Sequence, residues 1–261
     1  MEKTLLDVIF VSERRMNVLL MLQDGPKEME LILESLRTTR MALLPQMRIL
    51  KDHHLIYQSD DAYGLTITGK MMANKMKPFL STVEVLEEHS SYLATHKVDS
   101  IPEHLLMRIN EINGCTIMEP SHVNVHELNA DYRQEALGSK AVYFVFTFMH
   151  PSCPWILDLL VKAGVDVYII FTKELVQKLK DELYDKFKSF ILCGKVTFYS
   201  YNKDIQISSL TVTDNGFLLR LLFDNNEFSN KQLICLSEKG RHWRMDFYNY
   251  HLKDSTLITK I

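Results

Sequence analysis

Between Leu5 and Gln23 apolar residues return every three or four positions, and the run stops at Asp24-Gly25-Pro26. That period predicts one helix closed by a turn. EMELILESL predicts a short second helix, and Thr38-Thr39 offer a cap for a third that runs to about His53. Leu55-Ile56-Tyr57 and Tyr63-Gly64-Leu65-Thr66 then flank Gln58-Ser59-Asp60-Asp61, which reads as a β-hairpin. From Thr68 a long helical stretch follows, with Pro78 as a point where it can bend. Beyond Ile101-Pro102 the pattern changes. Strand-like runs (CTIMEP, AVYFVFTF, VDVYIIF, KVTFYSY, IQISSLTVT) stand around helix-like runs (PWILDLLVKAG, KELVQKLKDELYDKFKSF), which predicts a sheet at least partly parallel. Asp214-Asn215-Gly216 reads as a hairpin turn before FLLRLLF, and EKGRHWRMDFYNYHL as a closing amphipathic helix.

Three helices, a hairpin and a helix within about 80 residues are the plan of a winged helix-turn-helix, whose third helix enters the major groove. A plain three-helix bundle carrying a hairpin is the alternative. The predicted fold is α+β or α/β: a winged helix-turn-helix over residues 1–80, a linker and dimerisation helix over 81–100, and a mixed α/β sensor domain over 101–261. Met72, Met76, Phe79, Val83 and Leu86 have the spacing a partner helix needs. The same stripe could equally pack on its own domain.

Pro45 lies inside the third predicted helix, where a proline costs roughly 3 kcal/mol by removing a donor and crowding the preceding turn. With Leu43 facing the core, Met47 and Leu50 share its face, and Pro45 falls on the opposite side. Its freed carbonyl partner then meets water or a ligand. A start later than Thr39 would instead put Pro45 in the first turn, where little is lost. The outer face is Thr38, Thr39, Arg40, Met41, Pro45 and Arg48. Arg40 and Arg48 suit guanine edges or phosphates, and Thr38 and Thr39 suit phosphates at the helix start. Lys51 and Lys70 are candidate phosphate neighbours. Asp60 and Asp61 at the hairpin tip would repel a phosphate backbone. A proline tolerated on a solvent face is the plainer alternative.

The net charge of −3 excludes a bulk nucleic-acid binder. Residues 1–80 carry 11 Lys and Arg against 10 Asp and Glu, and the rest 19 against 23, so DNA contact must come from a local patch. No apolar run reaches the length of a membrane span, and MEKTLLDVIFVSERR lacks the marks of a signal peptide, so a cytoplasmic protein with no membrane partner is expected. The four cysteines form no C-x-x-C. Cys115, Cys193 and Cys235 stand in apolar runs and are expected to be buried and inert.

DGPKEMELILESLRTTRMALLPQMRILKDHHLIYQSDDAYGLTITGKMMANKMKPFL resembles the amino-terminal domain of a family of winged-helix transcriptional regulators from methanogenic archaea. Its marks are Gly25-Pro26-Lys27 before helix two, Leu44-Pro45-Gln46 in the recognition helix, and Leu65-Thr66-Ile67-Thr68-Gly69-Lys70 after the wing. The likeness continues through Ile101-Pro102-Glu103-His104-Leu105-Leu106, Cys115-Thr116-Ile117-Met118-Glu119-Pro120, His150-Pro151 and Thr211-Val212-Thr213-Asp214. The resemblance implies a double-stranded-DNA-binding regulator, in a family that regulates methane-producing metabolism and filament formation, and a homodimer is expected because helix-turn-helix proteins usually read two half-sites. It also implies that Pro45 and Gln46 belong to the recognition helix.

The carboxy-terminal half looks faintly like one half of a phospholipase D-type fold, an enzyme class that needs His-x-Lys upstream of an Asp. Counting back from Asp214 puts Ser209 and Ile207 at those places, so the catalytic pair is absent and no enzyme is expected. His122 and His126 have i, i+4 spacing, yet no further ligand stands at a fixed offset, and no metal or cofactor is expected. His150, Cys153 and Trp155 follow an apolar strand, where parallel sheets open ligand crevices, and are the candidates for a small-molecule effector or a redox-sensitive spot. A capping loop without ligand is the alternative. Arg220 is an odd charge within LLRLLF. Two other functions stay open: a protein-binding adaptor that uses the winged helix, and a phosphodiesterase-like enzyme.

Overall fold

Short polar residues decide where the first helices begin. Thr4 caps α1 (Leu5–Phe10), with its side chain accepting from the Asp7 amide while Asp7 reaches back to the Thr4 amide. Ser12 then caps α2 (Glu13–Met21) through the Arg15 amide. The single helix expected over this run is therefore two, because Ser12 adopts extended backbone and its hydroxyl takes a helix donor. The computed structural model describes residues 4–120, 130–148, 152–236, 238 and 240–259, and the chain divides into two compact units, Met1–Ser81 and Thr82–Ile261.

In the first unit β1 (Lys27–Glu28), α3 (Met29–Ser35), α4 (Arg40–Asp52), β2 (Ile56–Ser59) and β3 (Ala62–Leu65) follow α2. The strands form one antiparallel sheet in the order β1-β3-β2, which makes the module a winged helix. Two-residue β1 carries no sequence signal, since its pairing to Tyr63 and Ala62 is purely backbone. The next helix, α5 (Ile67–Glu88), starts within this unit and contains Pro78. Its start needs Gly69: a Cβ there would stand 1.9 Å from the Leu55 carbonyl oxygen. Thr66 fixes the same corner, donating to the His54 carbonyl at 2.6 Å and accepting from the Gly69 amide at 3.0 Å.

The second unit continues with α6 (Ser90–Leu93), α7 (Glu103–Leu106), β4 (Thr116–Met118), α8 (Ala130–Gly138), β5 (Ala141–Phe146), α9 (Cys153–Lys162), β6 (Asp166–Phe171), α10 (Lys173–Glu182), α11 (Tyr184–Leu192), β7 (Val196–Tyr201), β8 (Ser209–Val212), β9 (Gly216–Arg220), β10 (Gln232–Leu236), α12 (Arg241–Lys253) and β11 (Ser255–Leu257). Eight strands form one sheet in the order β11-β7-β6-β5-β8-β9-β10-β4. It is parallel across β7-β6-β5 and antiparallel elsewhere, which is the partly parallel sheet that the strand–helix alternation predicts. The Asp214–Gly216 turn does join β8 to β9. The helical run after Thr172 breaks at Leu183 into α10 and α11.

Strand alternation sends side chains to two cores. On one face Val145, Ile170, Leu210, Val212, Phe217 and Leu219 pack with Trp243, Phe247 and Tyr248 of α12. On the other, Val142, Phe144, Val167, Ile169, Phe171 and Phe198 pack with α9, α10 and α11. Cys115 and Cys235 are buried, but Cys193 is exposed, contrary to the expectation for its apolar run. It stands just past the end of α11, beyond the buried Phe187 and Phe190 stripe, with its thiol on the Phe190 carbonyl.

Candidate nucleic-acid interface

Leu43, Met47 and Leu50 of α4 are fully buried in the first unit's core. Each contributes roughly 1.5–3 kcal/mol of burial, which fixes how the helix is rotated. The opposite face is then set. Thr39 caps the helix with its hydroxyl 3.4 Å from the Ala42 amide, so the helix starts at Arg40 and Pro45 lies beyond its first turn. The carbonyl that Pro45 frees is that of Met41, whose residue is 88% exposed on the outer face.

Thr39, Arg40, Met41, Leu44, Pro45, Arg48 and Lys51 are all exposed, and Thr38 is half-buried in the turn ahead of the helix. Arg37 makes that turn with a left-handed φ of 46°. A concave surface of about 640 Å³ lies beside this face, bounded by Met41, Leu44, Pro45, Arg48 and Lys51 of α4 and by Gln58 and Tyr63 of the hairpin. Lys51 donates to the Gln58 side chain at 3.0 Å and so ties the helix to the wing.

Three predicted residues have additional partners. Gln46 turns its amide oxygen inward, where it accepts from Arg15 at 2.7 Å and from Ser12 at 3.4 Å. Arg15 is buried and also donates to the Val8 and Asp7 carbonyls, so Gln46 helps to anchor α4 on α2. Arg40 donates to Glu30 at 3.1 Å and stands 3.6 Å from Asp61. The acidic hairpin tip thus partly neutralises the start of α4. Arg48 has only a loose 4.0 Å contact with Asp52. Lys70 is exposed in the first turn of α5. Sequence reasoning missed Leu44 and Gln58. Leu44 was legible from the helical period beside Met41 and Arg48, while Gln58 needed the hairpin's position.

The apolar stripe expected on the long helix is split. Met76 belongs to the first unit's core, while Phe79 is 55% exposed and meets Phe10 edge-on, with centroids 6.0 Å apart. Leu6 and Val11 are exposed as well.

In the second unit Cys153 is buried at the start of α9, and burial pushes its thiol up to about 12. It is therefore protonated at neutral pH and a poor nucleophile. Trp155 is 52% exposed. His150, His122 and His126 lie outside the described residues. Among the described residues no helix is long and apolar enough to cross a membrane.

The structure is similar to that of TrmBL2, an archaeal chromatin protein, with TM-score 0.43 and 13% identity over 97% of each chain. It is also similar to Nuc, a phospholipase D family member from Salmonella typhimurium, with TM-score 0.38 and 13% identity over 56% of this chain and 99% of that one. Both likenesses are too distant to carry a function. Among curated proteins none matches the chain in sequence. Residues 3–84 match the N-terminal domain of the methanogenesis regulatory protein FilR1, and residues 125–254 match its middle domain. With both domains matched in order over most of its length, the chain belongs to the FilR1 family of methanogenesis regulatory proteins.

Proposed function

We propose that this regulator binds double-stranded DNA sequence-specifically, with the outer face of α4 in the major groove. The observation that carries the reading is the split of α4 into a buried Leu43–Met47–Leu50 face and an exposed face holding Arg40, Met41, Pro45 and Arg48 beside the hairpin. Arg48 is the base reader, because its guanidinium is the less encumbered and can donate two bonds to a guanine edge. Met41 and Leu44 offer apolar contact to thymine methyl groups. Thr38, Thr39, Lys51 and Lys70 fall on phosphates, and Arg40 joins them once its hold on Glu30 and Asp61 loosens.

The protein acts as a homodimer, since such modules read paired half-sites, and Leu6, Phe10, Val11 and Phe79 give an exposed apolar surface for a second copy. The second unit supplies the signal input to methanogenesis genes. Selection of bound genomic fragments by the purified protein, beside an R40A/R48A variant, tests the DNA reading. A palindromic site enriched by wild type alone supports it. Enrichment of nothing by either protein refutes it and favours the adaptor, which the acidic Asp60-Asp61 tip would suit.

A further inference from the structure

The registers of five neighbouring strands set one row of residues across the large sheet. Phe146 pairs with Ser209, Ser209 with Arg220, and Gln232 with Met118. One step beyond the Leu233–Leu219 pair brings Gln232 beside Arg220. Residues opposite one another across strands share a face, so this row projects to one side. The next row on that side is Phe144, Thr211, Leu218 and Ile234, which is mostly apolar.

A guanidinium is thus set into a sheet face. Arg220 is half-buried, and it donates to the Ser209 hydroxyl at 3.3 Å. Among the described residues no carboxylate forms an ion pair with it. The ionisable groups among the described residues that act on it are Tyr132 and Tyr92, whose phenols burial holds protonated. Desolvation lowers Arg220 to about 10, so it stays cationic at neutral pH. Gln232, its cross-strand neighbour by register, has a buried amide oxygen with no partner among the described residues. Arg108 on the same unit shows the usual arrangement, with Glu111 at 2.6 Å and Asp246 at 2.7 Å. A half-buried cation with no counter-charge among the described residues is costly, because buried charges are as a rule paired.

The place is also apt. Phe146 ends β5, and Phe171 beside it ends β6, so the row lies at the carboxyl end of the parallel strands. Open α/β sheets take their ligands there.

We propose that Arg220 and Ser209 form an oxyanion site in the second unit, which binds a small molecule through a phosphate or carboxylate group. The planar guanidinium donates two parallel N–H bonds to the anion. The Ser209 hydroxyl accepts from Arg220 and keeps its own proton to donate to a further oxygen. The site does not depend on the DNA reading.

The test is the thermal unfolding midpoint of the full chain in rising sodium phosphate and, separately, sodium succinate, with sodium chloride holding ionic strength constant. Wild type and R40A/R48A should show the same saturable rise with at least one of the two anions. R220Q should need at least tenfold more anion for half the effect, and R220K should keep part of it. R220M should fold with an unchanged or higher midpoint in chloride and show no response. No rise in wild type with either anion would overturn the site. So would a rise that R220Q and R220M retain, or one that only R40A/R48A loses. Marked destabilisation of both R220Q and R220M in chloride would make Arg220 a structural residue and equally end the proposal.

Discussion

Arg48 and Arg220 carry the same guanidinium into opposite surroundings. Arg48 is 85% exposed on α4, with one loose acidic contact. Exposed pairs of that kind contribute about 0–1 kcal/mol, so little of the first unit's stability depends on it. Arg220 stands in a sheet face next to apolar rows, where desolvation penalises its charge. A charge that costs the fold nothing is free to serve a transient partner such as DNA. A charge that burdens the fold has to be explained by what completes it.

Five experiments test this contrast. The largest effect is expected inside the second unit. Trp243 is fully buried, packs near Phe217 and Phe247, and donates to the Leu105 carbonyl at 2.9 Å. Trp243→Ala should cost about 3–5 kcal/mol in denaturant unfolding, and a cost below about 1 kcal/mol would show that α12 does not organise this core. Next comes the corner behind the wing. Gly69→Ala forces a Cβ onto the Leu55 carbonyl and should destabilise the first unit by about 3 kcal/mol, read from its melting.

Smaller changes separate binding from stability. Arg48→Ala should weaken operator binding about tenfold while stability stays within about 0.5 kcal/mol. Asp61→Asn should do the reverse, strengthening binding about threefold, because it frees Arg40 and removes a charge that repels phosphate. An unchanged affinity in titrations of Asp61→Asn would mean that the hairpin tip stays clear of the backbone.

The last effect is a pH dependence confined to buried histidines. Burial lowers the pKa of His96, which is hydrogen-bonded to Ser229 at 2.8 Å, and of His251, which contacts the Phe247 carbonyl at 3.0 Å. The unfolded chain then binds protons more readily than the folded one. The stability these neutral rings contribute is complete above about pH 6.5 and is lost as pH falls below it, by up to about 1.4 kcal/mol per pH unit for each histidine. Unfolding midpoints taken between pH 8 and pH 5 should flatten in a H96Q/H251Q variant. An equal slope in wild type and variant would assign the acid loss to other groups.

Much of α4 was legible in the residues themselves. Leu43, Met47 and Leu50 repeat at helical spacing, Thr39 has a capping hydroxyl, and Pro45 falls opposite the apolar stripe. The hairpin and the Asp214–Gly216 turn were equally local. Other features depend on partners distant in the chain. Gln46 counted with the recognition helix through the family resemblance, and only the fold showed Arg15 drawing its oxygen in. Met76 looked like part of a partner-seeking stripe until the first unit's core enclosed it. β10 and β11 are too short or too ordinary to announce themselves, and they exist because β9 and β7 offer them open edges.

The sequence alone determined what local chemistry settles: helical period, caps, turn residues and the absence of a His-x-Lys pair ahead of Asp214, each of which acts within a few residues. The tertiary structure decided which of these groups meet. Strand register brought Ser209 to Arg220 across eleven positions. Folding also placed Asp61 3.6 Å from Arg40 and left Cys193 in solvent. Such pairings depend on how elements stack, and burial and charge take their energies from neighbours that only the folded chain supplies.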